Sequence, residues 1–533
     1  MSAPSISGTT PQLAKQARMP SASYLVFWVC ASLFLLPFLR LISLTSDEGI
    51  FLNGAARIVH GQVFACDFFE MMGPGTYYWL AAFFNVFGVT FLAARLCLFV
   101  SLSGMLLTMY FLSRRICQQY QILPCLILAG VGTYLGTFLV AISHHIDGTF
   151  AALLSVASLL LWNTQRKNTL LIAAGSLAGI TTCIHQQKGV LLFCALLVWL
   201  WLQRRNLPSA LSSLGLMTGG YFCIVGVMLT YFWSRGALGC LAYANFIYPS
   251  RHYTGVNVVP YAQGIKEFWI LWVKAMGGSI WSFPVAAILM APFAFVAALP
   301  VLLLVLGIRC RWQSITPEVL LFWLAGWALW LSEFHRRDMY HLVFGSPLLI
   351  VLCFHLLAES RRKLVHFSVR FLAISAVCLS GVNFLIVAAG ARSADTRVGT
   401  VAMLQSDRVL KFLNEHSLPG EDILVYPYAT AYYFLTATTN PTRYSILLYN
   451  YNSREQFQDV VRILDQQRVR YVIWDTTFIS KASSTILPGS QPKSIDDYIL
   501  EPYLESHYKV VEDDHGVRIM ERKETEAMRP SKR

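Results

Sequence analysis

The 533-residue sequence has few charged side chains: only 13% of its residues are Asp, Glu, Lys or Arg, and 56% are hydrophobic. Soluble globular proteins carry about 25% charged residues. Acidic residues are especially scarce in residues 1–391, which contain only 10 of the 29 Asp and Glu. This shortage of charge excludes an ordinary soluble cytosolic enzyme.

The formal net charge is +13, which taken alone is typical of a nucleic-acid-binding protein. The charge is unevenly distributed, however. Residues 392–533 contain 18 Lys and Arg against 19 Asp and Glu, so the whole excess lies in residues 1–391. There the cations form short clusters between apolar runs and have no polar face on which to bind nucleic acid. We therefore predict no nucleic-acid partner.

The apolar runs have lengths typical of membrane-spanning helices. We predict a polytopic α-helical membrane protein with eleven spans: 24–44, 91–113, 122–142, 146–163, 168–185, 188–203, 209–233, 283–308, 317–333, 340–358 and 366–389. If the N-terminus is cytoplasmic, every inner loop is basic, as the positive-inside rule requires. The cations of these loops are Lys15, Arg18, Arg114, Arg115, Arg166, Lys167, Arg204, Arg205, Arg309, Arg311, Arg361, Arg362 and Lys363.

An odd number of spans places the chain after Ala391 outside the cytoplasm. Its composition changes there to that of a soluble α/β domain, with helices predicted at 407–416, 455–467 and 496–506. Strands are predicted at 422–426, 470–474, 509–512 and 517–521. We therefore expect two domains, a transmembrane domain over 1–391 and an extracytoplasmic α/β domain over 392–533.

Two outer segments are more than plain loops. In the first, Gly49–Val59 and Thr76–Phe87 have apolar patterns that suit short helices at the membrane interface. The second, about 236–282, is rich in Tyr and Trp. Among the twelve cysteines only Cys66 and Cys240 lie in predicted outer loops, which leaves a single bridge between them open.

Eight of the ten acidic residues of the membrane region lie on the predicted outer face. Acidic residues contribute little to membrane topology, so their position requires a chemical explanation. Asp47 and Glu48 directly follow the first span. Thr45–Glu48 fits a helix capping box, and a carboxylate fixed at this height also suits a general base that accepts a proton from a hydroxyl or amine. Both interpretations stay open on the residues alone.

Asp67 and Glu70 form a second acidic site in the same loop, followed by the turn Gly73-Pro74-Gly75. They are either solvated loop charges or substrate-binding groups.

His144, His145 and Asp147 lie on the same face, between the third and fourth spans. Their spacing matches no closed zinc site, and no cysteine pair is near. We therefore predict no metal site at these residues and expect the imidazoles to hydrogen-bond a phosphate or a sugar. No cofactor is indicated, and a need for a divalent cation stays open.

Three cations also lie in predicted outer loops, which the positive-inside rule tends to leave poor in basic residues: Lys188, Arg336 and Arg337. Such groups either anchor the protein to lipid headgroups or bind a phosphate at that level. One outer surface thus offers carboxylates for base chemistry and cations for a phosphate. A sugar joined through phosphate to a membrane lipid needs both.

The run SDEGIFLNGAARIVHGQVFACDFFEMMGPGTYYWLAAFFNVFG, at 46–88, resembles the first outer loop of GT-C membrane glycosyltransferases. It is most similar to bacterial relatives of the protein O-mannosyltransferases and lipid A aminoarabinose transferases. The stretch PGEDILVYPYATAYYFLTATTNPTR, at 419–443, resembles the extracytoplasmic domain of bacterial members.

This resemblance implies an inverting transfer of a sugar from a polyprenyl-phosphate donor to a protein, lipid or glycan acceptor outside a bacterial inner membrane. The family's acidic residue after the first span matches Asp47, with Glu48 beside it, and would act as general base. Cationic outer-loop residues would stabilise the phosphate leaving group. The expected substrate-binding residues are Asp67, Glu70, His144, His145, Asp147, Lys188, Arg336 and Arg337.

The sequence departs from the aminoarabinose transferases at one point: Gly73-Pro74-Gly75 stands where they carry a Lys-Pro-Pro element. The departure removes an expected cation and weakens the case for lipid A as acceptor. The alternative function is a transporter or flippase of lipid-linked sugars. Transporters place ionisable residues near the midplane on broken helices, whereas the predicted span interiors are nearly free of charge.

Overall fold

The computed structural model describes residues 21–523 except 118, 135–139, 204–206, 254–258, 310–314, 359, 361, 450, 486–489, 493 and 495–496. Several cations of the predicted inner loops lie outside the described residues: Lys15, Arg18, Arg204, Arg205, Arg311 and Arg361.

The helices described in the membrane region are α1 (Ser21–Leu39), α2 (Glu48–Val59), α3 (Gly75–Phe87), α4 (Phe91–Ile116), α5 (Leu123–Gly132), α6 (His144–Gln165), α7 (Asn168–Ile184), α8 (Gln186–Leu202), α9 (Leu207–Ser234), α10 (Leu238–Ala242), α11 (Ile265–Ala275), α12 (Ser282–Arg309), α13 (Pro317–Ser332), α14 (Met339–Gly345), α15 (Pro347–Ala358) and α16 (Lys363–Gly390). Two π-helical turns, Tyr243–Ile247 and Pro249–Tyr253, follow α10.

Each of the eleven predicted spans coincides with an apolar helix or, for the tenth, with the bent pair α14 and α15. Among the described residues, α1, α4, α6, α9, α12 and α16 are long and apolar enough to cross a membrane, and the bent pair, at 67°, makes a seventh. The remaining four, α5, α7, α8 and α13, have 10–17 residues. The chain is thus a polytopic helical membrane protein.

Two predicted spans have different ends in the structure. The first ends at Leu39 instead of 44, because the backbone at Arg40 and Ile42 hydrogen-bonds Ala402, at 2.7 and 3.0 Å, instead of continuing the helix. The third predicted span contains α5, whose 10 residues reach only about 15 Å of a hydrocarbon core about 30 Å thick. Residues 135–139 of that span lie outside the described residues.

The first outer segment folds into α2 and α3, at the predicted positions. The first of these is not an interfacial helix, since Glu48–Ala55 are all buried. It lies between the membrane helices and the C-terminal domain. The second outer segment joins the first through a disulfide bond between Cys66 and Cys240, the pairing that the sequence left open.

The C-terminal region contains the elements β1 (Arg392–Thr396), β2 (Gly399–Met403), α17 (Arg408–His416), β3 (Ile423–Tyr426), α18 (Ala431–Leu435), α19 (Arg454–Gln466), β4 (Tyr471–Asp475), α20 (Phe478–Thr485), α21 (Leu500–His507), β5 (Tyr508–Asp514) and β6 (Val517–Arg522). All seven elements predicted here are present. Four strands form a sheet in the order β3-β4-β6-β5, in which only β3 and β4 are parallel.

Backbone hydrogen bonds attach this region to both ends of the first outer segment. The β1–β2 hairpin meets Arg40 and Ile42 through Ala402, and Phe91 N donates to Val398 O at 2.9 Å. Further along, Phe69 N donates to Arg443 O at 2.7 Å. The attachments hold the C-terminal region directly above α2, where the predicted base Asp47 lies.

Candidate active site

Asp47 is the residue that precedes α2, and its side chain is exposed. The predicted capping box is wrong: no side chain caps α2, and the Ser46 hydroxyl donates instead to Ser43 O at 2.9 Å. The Asp47 carboxylate accepts a hydrogen bond from the Tyr428 hydroxyl. Asp47 is therefore available for chemistry rather than used to cap the helix.

Glu48, its neighbour, is in a different environment. It is only 2% exposed and forms a two-oxygen ion pair with Arg95 of α4, whose Nη2 lies 3.0 Å from Oε2. Its Oε1 also accepts from Ile142 N at 2.9 Å. Because Glu48 is buried and both of its oxygens already accept hydrogen bonds, it is less accessible to a substrate than the exposed Asp47.

Close backbone packing places Tyr428 against Asp47. A Cβ at Gly49 would lie 2.3 Å from Ala431 N, so only glycine lets α2 approach the start of α18 this closely. Phe478 stacks on the Tyr428 ring at 4.8 Å and fixes its orientation. Burial and the Asp47 charge raise the pKa of the Tyr428 phenol well above its usual value, so the phenol stays a hydrogen-bond donor.

Arg336 approaches the same site from the loop between α13 and α14. Its Nε donates to Asp338 Oδ2 at 2.7 Å, and Asp338 Oδ1 lies 2.7 Å from His341 Nδ1. Burial opposes the charge of Arg336, but Tyr253, Asp338 and Asp47 together raise its pKa above the usual value. The Arg336 guanidinium is held in place by Asp338 and interacts with the charge of Asp47. It is therefore suited to bind an anion near Asp47.

Arg337, the next residue, is placed differently. Its guanidinium lies over the Phe334 ring, 5.5 Å from the centroid, and its carbonyl accepts from Ala262 N at 2.8 Å. These contacts suit interfacial anchoring rather than the Asp47 site.

Glu70 lies in the same outer segment, in surroundings that favour its protonated form. It is 2% exposed, and burial, reinforced by the Asp47 charge, raises the pKa of its carboxyl to about 8. The Ser445 and Tyr77 hydroxyls and Arg57 only partly oppose that shift. A protonated carboxyl donates a hydrogen bond and cannot accept the proton of an acceptor, so a raised pKa does not suit a general base.

Two further predicted substrate-binding acids have local roles. Asp67 is exposed and accepts from Val63 N at 2.6 Å, which closes a turn. Asp147 is buried and accepts from Ser101 at 2.6 Å and from Thr76 at 2.9 Å, so it links three helices. Asp147 is thus separate from the adjacent histidines.

Lys188 is also placed differently from its predicted role. It is completely buried, with Nζ 2.6 Å from Glu333 Oε1 and 2.8 Å from the Thr149 hydroxyl. A lysine neutralised by Glu333 is not a free phosphate ligand. His144 and His145 lie beside this pair together with His185.

Tyr428, Tyr253, Asp338 and His341 also lie at the site, although the sequence did not identify them as substrate-binding residues. Asp338 and His341 stand beside Arg336 in the chain, which was a usable signal. The two tyrosines come from distant segments, so only the fold reveals them.

No family model matches the chain, and no curated protein matches it in sequence. Its fold is similar to that of ArnT from Cupriavidus metallidurans, a lipid A aminoarabinose transferase of the GT-C superfamily. The match to the structure bound to undecaprenyl phosphate has a TM-score of 0.56 and covers 94% of this chain and 98% of that chain, at 11% identity. The apo structure of ArnT gives a TM-score of 0.53 with the same coverage and identity. The predicted GT-C resemblance is confirmed at the level of the fold.

Proposed function

We propose that this protein is a membrane glycosyltransferase that moves a sugar from a polyprenyl-phosphate donor to an acceptor outside the cytoplasm. The observation that carries the proposal is the ArnT-like fold over 94% of the chain, in which Tyr428 hydrogen-bonds Asp47 and the Asp47 charge acts on Arg336. ArnT has been crystallised with undecaprenyl phosphate, which is the product that such a donor leaves behind.

Asp47 is the general base of this reaction. It accepts the proton of the acceptor hydroxyl or amine while that atom forms a bond to the anomeric carbon of the sugar. The bond between the anomeric carbon and the phosphate oxygen breaks, and its electron pair leaves with the polyprenyl phosphate. A single displacement of this kind inverts the anomeric configuration.

Two groups assist from either side. The Tyr428 hydroxyl orients the Asp47 carboxylate by donating a hydrogen bond to it. Arg336, held in place by Asp338, stabilises the negative charge that develops on the leaving phosphate. Burial raises the pKa of Glu70, which makes its carboxyl less suited than Asp47 to the base role.

The proposed orientation places α2, α3 and the C-terminal region outside the cytoplasm of a bacterial inner membrane. The disulfide between Cys66 and Cys240 supports it, because such bonds persist in oxidising compartments. Basic residues lie at the C-terminal ends of α4 and α6, in the last turn of α4 and directly after α6, on the opposite side from the first outer segment, as the positive-inside rule requires.

The rival function, transport of lipid-linked sugars, predicts charged groups at the membrane midplane on broken helices. The bent pair α14 and α15 is such a break, but its charged neighbours Arg336 and Asp338 precede the pair at its outer end. Arg336 and Asp338 thus lie at the outer surface in the proposed orientation, where a transferase needs charged groups.

Mass spectrometry of lipids that co-purify with the detergent-extracted protein tests the proposal. We expect a polyprenyl phosphate or its sugar conjugate, and the mass of the conjugate identifies the sugar class. The purified protein should then transfer that sugar in vesicles, and Asp47→Asn should not. A protein that carries the conjugate between leaflets without transfer would be a flippase.

A further inference from the structure

Three histidines outside the proposed active site form a compact cluster. His144 and His145 begin α6, and His185 joins α7 to α8. Their ring centroids are 4.0 to 5.4 Å apart, and one nitrogen from each ring lies within 4.8 Å of the other two. His185 lies 40 residues beyond the adjacent pair His144 and His145, so the fold brings it to them.

Two nitrogens of this cluster are buried without a hydrogen bond among the described residues: His144 Nδ1, and His185 Nε2, which lies 3.8 Å from Glu333 Oε2. His185 is only 6% exposed. Leaving a buried polar nitrogen unpaired costs about 1–3 kcal/mol. A ligand that accepts both lone pairs would remove that cost.

The surroundings orient the third ring. His145 Nδ1 lies 3.3 Å from Glu333 Oε2, which leaves its Nε2 for a ligand. Glu333 is held through its other oxygen by Lys188 at 2.6 Å. A carboxylate that fixes the far nitrogen of an imidazole is the usual outer-shell partner of a metal-binding histidine.

We propose that His144, His145 and His185 bind a divalent transition-metal ion, with Zn²⁺ as the natural occupant and Glu333 as the outer-shell carboxylate. Three imidazoles form a ligand set typical of zinc, with a fourth position open to water. Calcium and magnesium prefer oxygen ligands and do not fit an all-nitrogen set. Binding needs the rings to close from 4.8 Å to about 3.3 Å between ligand nitrogens, the spacing of tetrahedral sites with 2.0–2.1 Å bonds.

From the sequence no metal site was expected, because His144 and His145 were considered as ligands together with Asp147. In the structure Asp147 binds Thr76 and Ser101 instead, and the third imidazole comes from His185, 40 residues further along the chain. No local spacing motif joins these positions.

The metal would fasten three elements at the outer surface. It would tie α6 to the α7–α8 junction, and Glu333 begins the loop that carries Arg336. His145 also packs against His341, at 4.8 Å between centroids, and His341 contacts Asp338, the partner of Arg336. The ion thus supports the position of Arg336 without touching the proposed substrates.

Cobalt binding by the full-length protein tests this site. The protein is purified in detergent without a histidine tag, stripped with a chelator and titrated with Co²⁺. We expect about one equivalent to bind, with visible d–d absorption that one equivalent of Zn²⁺ displaces. X-ray absorption spectroscopy of the zinc form should show imidazole nitrogens at about 2.0 Å.

His144→Gln and His185→Gln should each weaken Co²⁺ binding at least 10-fold. His252→Gln is the matched control, because His252 stacks on Tyr248 at 4.4 Å, away from the cluster, and should bind metal like the parent. Wild-type protein that binds no metal, or binding unchanged in both cluster variants, would overturn the proposal. If the variants aggregate, the wild-type absorption spectrum decides alone. Because these readouts need no sugar transfer, they stand whether or not the proposed function holds.

Discussion

The Tyr428 hydroxyl, from the C-terminal region, donates a hydrogen bond to the carboxylate of Asp47 at the start of α2. The contact joins the C-terminal region to the residue that we propose as the base. It implies that the C-terminal region completes the reaction centre rather than only covering it.

We expect Asp47→Asn to lower kcat by at least about 100-fold, because the amide keeps the shape of the side chain and cannot accept the proton. Transfer of the co-purified sugar in vesicles measures the effect, and size-exclusion chromatography checks the fold. Asp67→Asn, an exposed acid in the same loop, is the control and should retain activity. Unchanged turnover in Asp47→Asn would eliminate the base role.

Tyr428→Phe should lower kcat by about 10-fold or more, since a hydrogen bond to a charged group contributes about 1.5–3 kcal/mol. Tyr432→Phe is a matched control: its hydroxyl also donates to an aspartate, Asp407, at 2.8 Å, but away from the site. Both variants should lose similar thermal stability, and only Tyr428→Phe should lose turnover. Equal activity in the two would show that the Tyr428 contact is structural.

Arg336→Gln should raise the KM for the polyprenyl-phosphate donor more than the KM for the acceptor, because it removes the cation beside the leaving phosphate. Arg337→Gln should have little effect on either, since that side chain stacks on Phe334. Initial rates with each substrate varied in turn separate the two constants. A similar donor defect in both variants would favour headgroup anchoring.

Glu48→Gln should lower the free energy of unfolding without abolishing sugar transfer. Breaking a buried ion pair costs about 3–5 kcal/mol, because Arg95 is left without a compensating charge. Thermal unfolding in detergent measures the loss, and turnover per folded molecule should stay near the parent value. A double-mutant cycle with Arg95→Gln should give a coupling energy that confirms the pair. Normal stability with lost turnover would return Glu48 to the catalytic role.

Glu70 gives the stability a definite pH dependence. Its folded pKa, about 8, is above the usual 4.5, so the folded state holds a proton that the unfolded state releases. The free energy of unfolding contributed by Glu70 should therefore fall as pH rises from 4.5 to 8 and level off above that range. Glu70→Gln should remove this slope from a series of melting temperatures, while Asp67→Asn should keep it. Parallel pH curves for the parent and Glu70→Gln would contradict the assignment.

The sequence predicted the positions of the elements well because apolar periodicity and length reflect burial along the chain. All eleven apolar segments and the seven elements of the C-terminal region were found this way. It predicted side-chain roles less well. From the sequence Lys188 was expected to be a phosphate-binding cation, and only the fold shows that it pairs with Glu333, which directly follows α13. Asp47 was found through a family resemblance, whereas Tyr428 required the folded contact.

During synthesis on the ribosome, the Asp47–Tyr428 contact can form only late, because the two residues lie far apart in the chain. The two residues are 381 positions apart, so at 5–20 residues per second Asp47 emerges about 20 to 75 s before its partner exists. During that interval the nascent protein already has its first outer segment but lacks the hydroxyl that orients the carboxylate. A chain that ends before Tyr428 would therefore carry the proposed base without the contact that orients it.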